Sequence, residues 1–547
     1  MNTTLKVLLS LLFVILCGSP IWYHTMTVHQ AKLPTNKLLN LSSSANPKIS
    51  IQIKLLYDEE ILKTPNQESF LSQLKKEVKK YSKEFQEDFL TFQIKTHPIK
   101  LQKDYNNMDN PKKITKLLQE SLSFQKEKEK EKEKEKEKEK EKEKEKEKEK
   151  ENQGMFEPKY TLVLLNLPKL SEGIYLPPTG RLVWINLGES TNENKHLNNI
   201  KNFFSIFTCI TNTTKFTTQT DDLHISFILL NQDPRGRVLN WEFEKAFNNY
   251  LQPTIEKLNT RFSEITHDSE MIAYADLEQS RVHKSEAINQ NNEKEVYYSI
   301  SKNTLRRVIQ IGEWSSSIAT NKPVLRFILF VPGKQFTPLF INRSSKKNRD
   351  AFIVTGIGGI SINNLNNSET QLLNKNDLRR PFLVFANQMR LFLGIKNLNK
   401  FIYYDPSNII QDIELDMLIF NTLIKNLYEA KHSLLSLHTL IKELPYMEIP
   451  EEIRIHIQNA INGIQDSESY INKKNYKSAY FSSKRAIDDC NRAFFNPSIS
   501  SQLYFEMQNR FAIYIPIFLP MLAPLITKLL KQISSFLKKK KKKKFQF

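Results

Sequence analysis

The sequence predicts an α/β lumenal domain, a mixed sheet covered by helices, plus a C-terminal helical segment and two transmembrane helices. Three observations carry this. Short apolar runs alternate with helix-period segments between residues 50 and 395, the order expected of an α/β domain. From 411 to 495 the strand patterns vanish and only the helical period remains. Uncharged stretches near both ends of the chain have the length and flanks of membrane anchors.

The N-terminal anchor occupies 1–24. Lys6 precedes the apolar run 7–17, and Trp22 and Tyr23 close it as an interfacial belt would. Gly18-Ser19 also offers small residues for cleavage of a signal peptide. The expectation adopted is an uncleaved anchor with a cytosolic N-terminus. The second anchor is 510–530, RFAIYIPIFLPMLAPLITKLL, and the basic tail 531–547 after it contains the unbroken block Lys538 to Lys544. Lysine beside a span marks the cytosolic side. Both termini are then cytosolic, and residues 32–509 form one lumenal loop. Pro516, Pro520 and Pro524 share one helical face, and each frees a carbonyl about a turn back. In lipid such carbonyls need partners. The three prolines are therefore candidates for an intramembrane partner contact, beside the plainer reading of a kinked anchor.

The lumenal α/β domain has a first part at 25–125. Strands are predicted over 50–57 and 89–95. Helices are predicted over 70–85, from the spacing of Phe70, Leu74, Val78, Tyr81 and Phe85, and over 113–124. A Lys-Glu low-complexity insertion fills 126–152. Its strict alternation puts like charges at i,i+4 and offers nothing apolar to bury, so it reads as solvated and disordered, with an interaction tract as the weaker alternative. The second part, 153–410, carries strands over 160–167, 181–187, 223–230, 264–275, 324–331 and 351–360. The runs at 223–230 and 324–331 are apolar almost throughout, as strands covered on both faces are. Helices are predicted over 198–210, over a stretch carrying Trp241, Phe247, Tyr250, Leu251, Ile255 and Leu258 with a bend at Pro253, and over 379–395. In the helical segment, 411–509, helices over 413–440, 450–464 and 476–495 form a hairpin or small bundle.

The formal charge of +20 resembles a nucleic-acid signal, but seven of the lysines are Lys538 to Lys544 and no basic stripe is interleaved with aromatics. No nucleic acid is expected; the lysine tail suits anionic lipid headgroups of a membrane. Of three cysteines, Cys17 lies in the first anchor. Cys209 and Cys490 are compatible with one disulfide or with two buried thiols, and the sequence does not decide. Cys209, in FTCITNTT, carries no nucleophile signature, and His196 or His224 would have to approach it as a base. Gly356-Ile-Gly-Gly359 lacks the Lys-Ser/Thr of a phosphate loop and reads as a bulge or tight turn. The ten histidines have no zinc-ligand spacing. Asp412, Glu414 and Asp416 diverge on a helix and suit its N-terminus better than a metal. No catalytic, cofactor-binding or metal residue is expected. The lumenal N-x-S/T sequons are Asn40, Asn212, Asn342 and Asn366, of which Asn366, in the polar loop NNLNNSE, is the best candidate; Asn2 falls on the cytosolic side.

Three stretches together resemble one family: PIWYHTMTVHQAKLP after the first anchor, FILLNQDPRGRVLNWEFEKAFNNYLQPTIEKL at 227–258, and AFFNPSISSQLYFEMQNRFAIYIPIFLPMLAPL at 493–525. They resemble the PIG-S family, a subunit of the GPI-anchor transamidase complex, over nearly the whole chain outside the Lys-Glu insertion and the lysine tail. The resemblance implies a two-span endoplasmic-reticulum membrane protein with a large lumenal domain. It implies assembly with the cysteine-protease-like catalytic subunit PIG-K and with PIG-T, PIG-U and the GPAA subunit. That complex cleaves the C-terminal signal of a proprotein and attaches a GPI lipid to the new carboxyl end. The family supplies no catalytic residue and no cofactor, so the expected role is a non-catalytic structural subunit. The rivals are a substrate-recognition or chaperone-like module, and an independent lumenal enzyme such as a glycosyltransferase, which would need a D-x-D motif that the sequence lacks.

Overall fold

Two sheets are built around strands too apolar to leave either face in water. The computed structural model describes residues 31–43, 47–58, 90–99, 110–122, 159–207, 222–313, 322–341, 349–443 and 449–499, with short internal gaps, scattered positions within 516–538, and single residues at 13, 76 and 80. Among the described elements, helix α1 is Thr35–Ser43. Next are β1 (Ile49–Asp58), β2 (Leu90–Ile99), helix α2 (111–122), β3 (Lys159–Leu165), β4 (Gly173–Leu176), β5 (Leu182–Asn186) and α3 (Glu193–Phe207). Then come β6 (Asp222–Asn231), β7 (Asn240–Trp241), α4 (Phe243–Tyr250), α5 (Gln252–Leu258), β8 (Glu264–Ile272), β9 (Val282–Ile288), β10 (Lys294–Ile300) and α6 (Lys302–Glu313). The rest are β11 (Val324–Val331), β12 (Leu339–Ile341), β13 (Ala351–Val354), β14 (Gly358–Ile362), β15 (Leu372–Leu373), α7 (Arg379–Phe392), β16 (Ile402–Tyr404), α8 (Asp412–Glu443), α9 (Glu451–Asn472) and α10 (Tyr476–Phe494).

The chain divides into two compact units, one of residues 48–153 with 157–422 and one of 1–47, 154–156 and 423–547. The first holds the sheets. A six-stranded sheet has the order β16-β4-β5-β3-β1-β2, parallel except where β4 meets β5. A five-stranded sheet has the order β13-β14-β11-β6-β8, parallel except where β13 meets β14. β6 and β11 alternate two apolar sets, so both faces must be covered. On one face Phe227 and Phe327 stack with centroids 5.5 Å apart and receive Phe243 and Phe247 of α4 and Phe382 and Phe385 of α7. On the other, Ile228, Leu230, Ile328 and Phe330 pack with Leu305 and Val308 of α6. In the six-stranded sheet Trp184 is fully buried, stacks on Tyr175 at 4.0 Å, and donates to Thr115 Oγ1 of α2 at 3.0 Å.

The structure corrects three expectations. Residues 351–360 are not one strand but the antiparallel pair β13 and β14. Gly358 has φ +148°, and a Cβ there would stand 1.9 Å from the Arg326 carbonyl oxygen, so a side chain is excluded where β14 meets β11. Trp241 belongs to β7, paired with β15, and not to the helix after it. Pro253 does not bend one helix; it opens a second, α5, where its missing N–H costs nothing. The polar strands β9 and β10, which form a three-stranded sheet with β12, and helix α6 have no counterpart in the sequence reading.

In the other unit α9 and α10 form a helical hairpin. Lys474 turns the chain at φ 60°, and Asn475 caps α10 by accepting from the Ser478 N–H at 3.3 Å. Gly463 allows close approach, since a Cβ would lie 3.0 Å from Ala486 Cβ. The C-terminal part of α8 packs here: Lys431 pairs with Glu468 at 2.8 Å and the Cys490 thiol donates to the Ala430 carbonyl at 3.5 Å.

Among the described residues no helix is long and apolar enough to cross a membrane. Of the two expected spans, the described residues include only Phe13 and scattered positions from Pro516 onward; Pro516, Pro520 and Pro524 are helical and exposed. The helix expected over 70–85 (apart from the single residues 76 and 80), the Lys-Glu insertion, Cys17, Cys209, Asn212, Asn342 and Asn366 lie outside the described residues.

Candidate functional site

The most organised polar cluster lies at the start of α8. Successive acids two positions apart turn about 200° on a helix, so each meets a different element. Asp412 accepts from Lys257 Nζ of α5 at 3.0 Å and from the Gly180 N–H at 2.6 Å. Glu414 receives Arg390 of α7 in a fork, Nη1 to Oε2 and Nη2 to Oε1 both at 2.7 Å, and accepts the Gln411 N–H at 3.1 Å. Arg390 also donates to the Ile409 carbonyl. Asp416 Oδ2 accepts from Arg181 Nε at 2.6 Å and Tyr160 Oη at 2.8 Å, and Oδ1 from Arg181 Nη2 at 3.2 Å.

The electrostatics follow from burial. Glu414 and Arg390 are 0% and 2% exposed, so neither charge has water to fall back on. Burial pushes the Asp416 carboxyl up to about 6, against the pull of the Arg181 guanidinium. Burial, then the Asp416 charge, raises the Tyr160 phenol well above its ordinary value. For Arg181 burial works downward, but the hydrogen bonds and charge of Asp416 outweigh it and hold the cation. Each carboxylate is committed to a cation, so the cluster is a joint between elements. The acids diverge as their spacing predicts, and among the described residues no group of three or more His, Cys, Asp or Glu side chains could hold a metal.

The other candidate residues separate. His224 Nδ1 lies 2.8 Å from Thr266 Oγ1 and its Nε2 3.1 Å from Asp268 Oδ2, which places it on the β6–β8 pair. Cys490 is a free, buried thiol, and burial pushes its pKa up to about 12, the reverse of an activated nucleophile. Gly359 sits where a Cβ would meet Gln388 Oε1 at 2.2 Å, so that glycine serves packing. Asn40 is exposed on α1.

A cavity of about 380 Å³ opens beside β13. Val384, Gln388 and Leu391 of α7 form one wall, spaced four and three residues apart on a single helix stripe. Gln388 Nε2 bridges the hairpin, donating to the Phe352 carbonyl at 3.0 Å and the Ile360 carbonyl at 2.9 Å. Sequence reasoning placed the α7 helix but not the cavity, nor Arg181, Arg390 and Tyr160 as partners of the acids. An arginine at 390 between the apolar Met389 and Leu391 was the one available signal.

Fold and site thus define an α/β protein with an appended helical hairpin, whose best-ordered charges tie elements together. Residues 9–539 match the family model described as PIG-S, phosphatidylinositol-glycan biosynthesis class S protein, and the chain belongs to that family. It is 30% identical over 307 residues to the GPI-anchor transamidase component PIGS of Bos taurus, and equally to that of Homo sapiens, covering 54% of this chain and 54% of each relative. It is 25% identical over 313 residues to the GPI transamidase component PIG-S homolog of Schizosaccharomyces pombe, covering 55% of this chain and 52% of that one. The matched stretch therefore spans about half the length of these relatives.

Proposed function

We propose that this chain is a non-catalytic structural subunit of the GPI-anchor transamidase complex, supporting attachment of GPI lipid anchors to proproteins in the endoplasmic-reticulum membrane. The family match across 9–539 carries the reading, and the names of the bovine, human and yeast relatives support it. The acid joint supports it too, since its charges are spent on holding elements together. The partners are PIG-K, PIG-T, PIG-U and the GPAA subunit, with the lipid bilayer around two spans at 1–24 and 510–530. Both termini are cytosolic, and Asn40, Asn212, Asn342 and Asn366 are the sites open to glycosylation. Pro516, Pro520 and Pro524 form the intramembrane contact. Affinity purification of the full chain in mild detergent tests the assignment: recovery of the other transamidase subunits is expected, and their consistent absence overturns it. Loss of glycosylation on Asn40→Gln and Asn366→Gln tests the lumenal placement, and an unchanged mass for every sequon variant argues against it.

A further inference from the structure

The five-stranded sheet ends at β13; β12 meets the approach to that edge, where the Ile341 N–H donates to the Arg349 carbonyl at 2.8 Å, and from Ala351 to Ile353 the edge is open among the described residues. The Ile362 N–H donates to the Asp350 carbonyl at 2.7 Å, and the register pairs Ala351 with Ser361 and Ile353 with Gly359. In an antiparallel ladder these alternate pairs are the ones not bonded to each other, so the N–H and C=O groups of Ala351 and Ile353 point away from β14. No described residue bonds to them. The cavity lies along this edge. Its α7 wall leaves Leu391 37% exposed and Val384 half-buried, an apolar ledge running past the last strand.

The charges at the cavity are one-sided. Lys302 of α6 and Arg349 line it, both are exposed, and no carboxylate lines it. The neighbouring Arg380 is already paired with Asp350, whereas Lys302 and Arg349 make no ion pair among the described residues. An occupant must therefore bring backbone donors and acceptors for the edge, apolar side chains for the ledge and negative charge for the cations. A hydrocarbon chain supplies only the second of these. An extended peptide supplies all three when apolar and acidic residues alternate along it, because alternate side chains fall on opposite faces.

We propose that the edge of β13, with the ledge of Val384 and Leu391 and the cations Lys302 and Arg349, is a strand-addition site for an extended segment of a partner protein that alternates apolar and acidic side chains. This stands independently of the transamidase reading. The test uses the full chain in lipid nanodiscs and, as probe, a fluorescent nine-residue peptide of alternating valine and glutamate. Saturable binding is expected. N-methylation of alternate peptide nitrogens, which cannot disturb the protein's own fold, weakens it about ten-fold or more by removing edge hydrogen bonds. Lys302→Glu with Arg349→Glu weakens the glutamate peptide about ten-fold and favours a valine-lysine peptide instead. Leu391→Lys on the ledge also weakens it. Absence of binding, indifference to N-methylation, equal binding of the lysine peptide to the unaltered protein, or occupation by dodecanoate without the peptide each overturns the proposal.

Discussion

Replacing Glu414 by glutamine probes the joint at the start of α8. The substitution keeps the shape and removes one charge. Arg390 then remains 2% exposed, with its fork partner neutral. The neighbouring acids cannot stand in, because Asp412 is held by Lys257 and Asp416 by Arg181. Stranding one member of a buried pair costs about 3–5 kcal/mol. Removing both charges is a different perturbation: Glu414→Leu with Arg390→Met leaves no ion to desolvate and is expected within about 1 kcal/mol of the parent, or above it. The assay is thermal unfolding of the full chain, followed by tryptophan fluorescence, since Trp184 and Trp241 are both buried in the unit that holds the joint. At about 2 °C per kcal/mol for a unit of this size, Glu414→Gln should lower the midpoint by about 6–10 °C, and the double variant should restore most of it. A Glu414→Gln midpoint within about 2 °C of the parent would show that the fork carries no such energy. A double variant as impaired as the single would show that volume, not charge, sets the cost.

The buried Asp416 predicts a pH signature. Its folded pKa of about 6 stands above the ordinary 3.8, so the folded state holds the proton longer; the stabilisation is complete below about pH 4 and is lost as pH rises through about 6. The parent's stability advantage over Asp416→Asn should therefore fall by at most about 3 kcal/mol between pH 4 and 7, and a difference that grows with pH refutes the assignment. Gly358→Ala should cost at least about 3 kcal/mol in denaturant unfolding, since a Cβ would meet Arg326 backbone in a φ that L-residues avoid; a cost under 1 kcal/mol would mean that the strand relaxes freely. In a Cys17→Ser/Cys209→Ser variant, Cys490 should resist iodoacetamide at pH 8 until the protein is unfolded, and rapid native labelling would contradict its burial. Replacing Pro516, Pro520 and Pro524 together by leucine should leave membrane insertion intact and reduce co-purification of partner subunits; unchanged recovery reduces the prolines to kinks.

Strands covered on both faces were the most legible. The stretch 324–331 is predicted and found with the same limits, because its apolar run ends abruptly at proline on both sides. Helices α7 to α10 were legible for a related reason: long amphipathic periods outlast local ambiguity. β9 and β10 were not, since VHKSEAI and KEVYYSI are too polar to announce themselves and depend on each other for pairing. The hairpin within 351–360 was read as one strand even though Gly356 to Gly359 suggested a bulge or tight turn; Gly358 and Gly359 answer to close approach by β11 and α7, which no local pattern announces. The acids were read correctly as divergent. Their partners were not, because Arg181 lies 235 residues from Asp416 and Tyr160 lies 256 residues away, distances at which no local pattern operates.

The arrangement of those partners explains why the acids recur at every second position. Tyr160 belongs to β3 and Arg181 directly precedes β5, both of the six-stranded sheet. Arg390 belongs to α7, which covers the five-stranded sheet with Phe382 and Phe385, and Lys257 to α5, which follows α4 on that sheet. One helix start therefore holds strands of one sheet and the covering helices of the other. Apolar contact could join the same parts with comparable energy but without fixing their register, since it is indifferent to small slides. A forked guanidinium on a carboxylate is not indifferent: a slide of an ångström breaks both bonds and leaves a buried charge. Within this unit charge is spent on geometry at α8 and left unspent at Lys302 and Arg349 beside β13. That contrast separates the place where the unit is closed from the edge where it remains open to another chain.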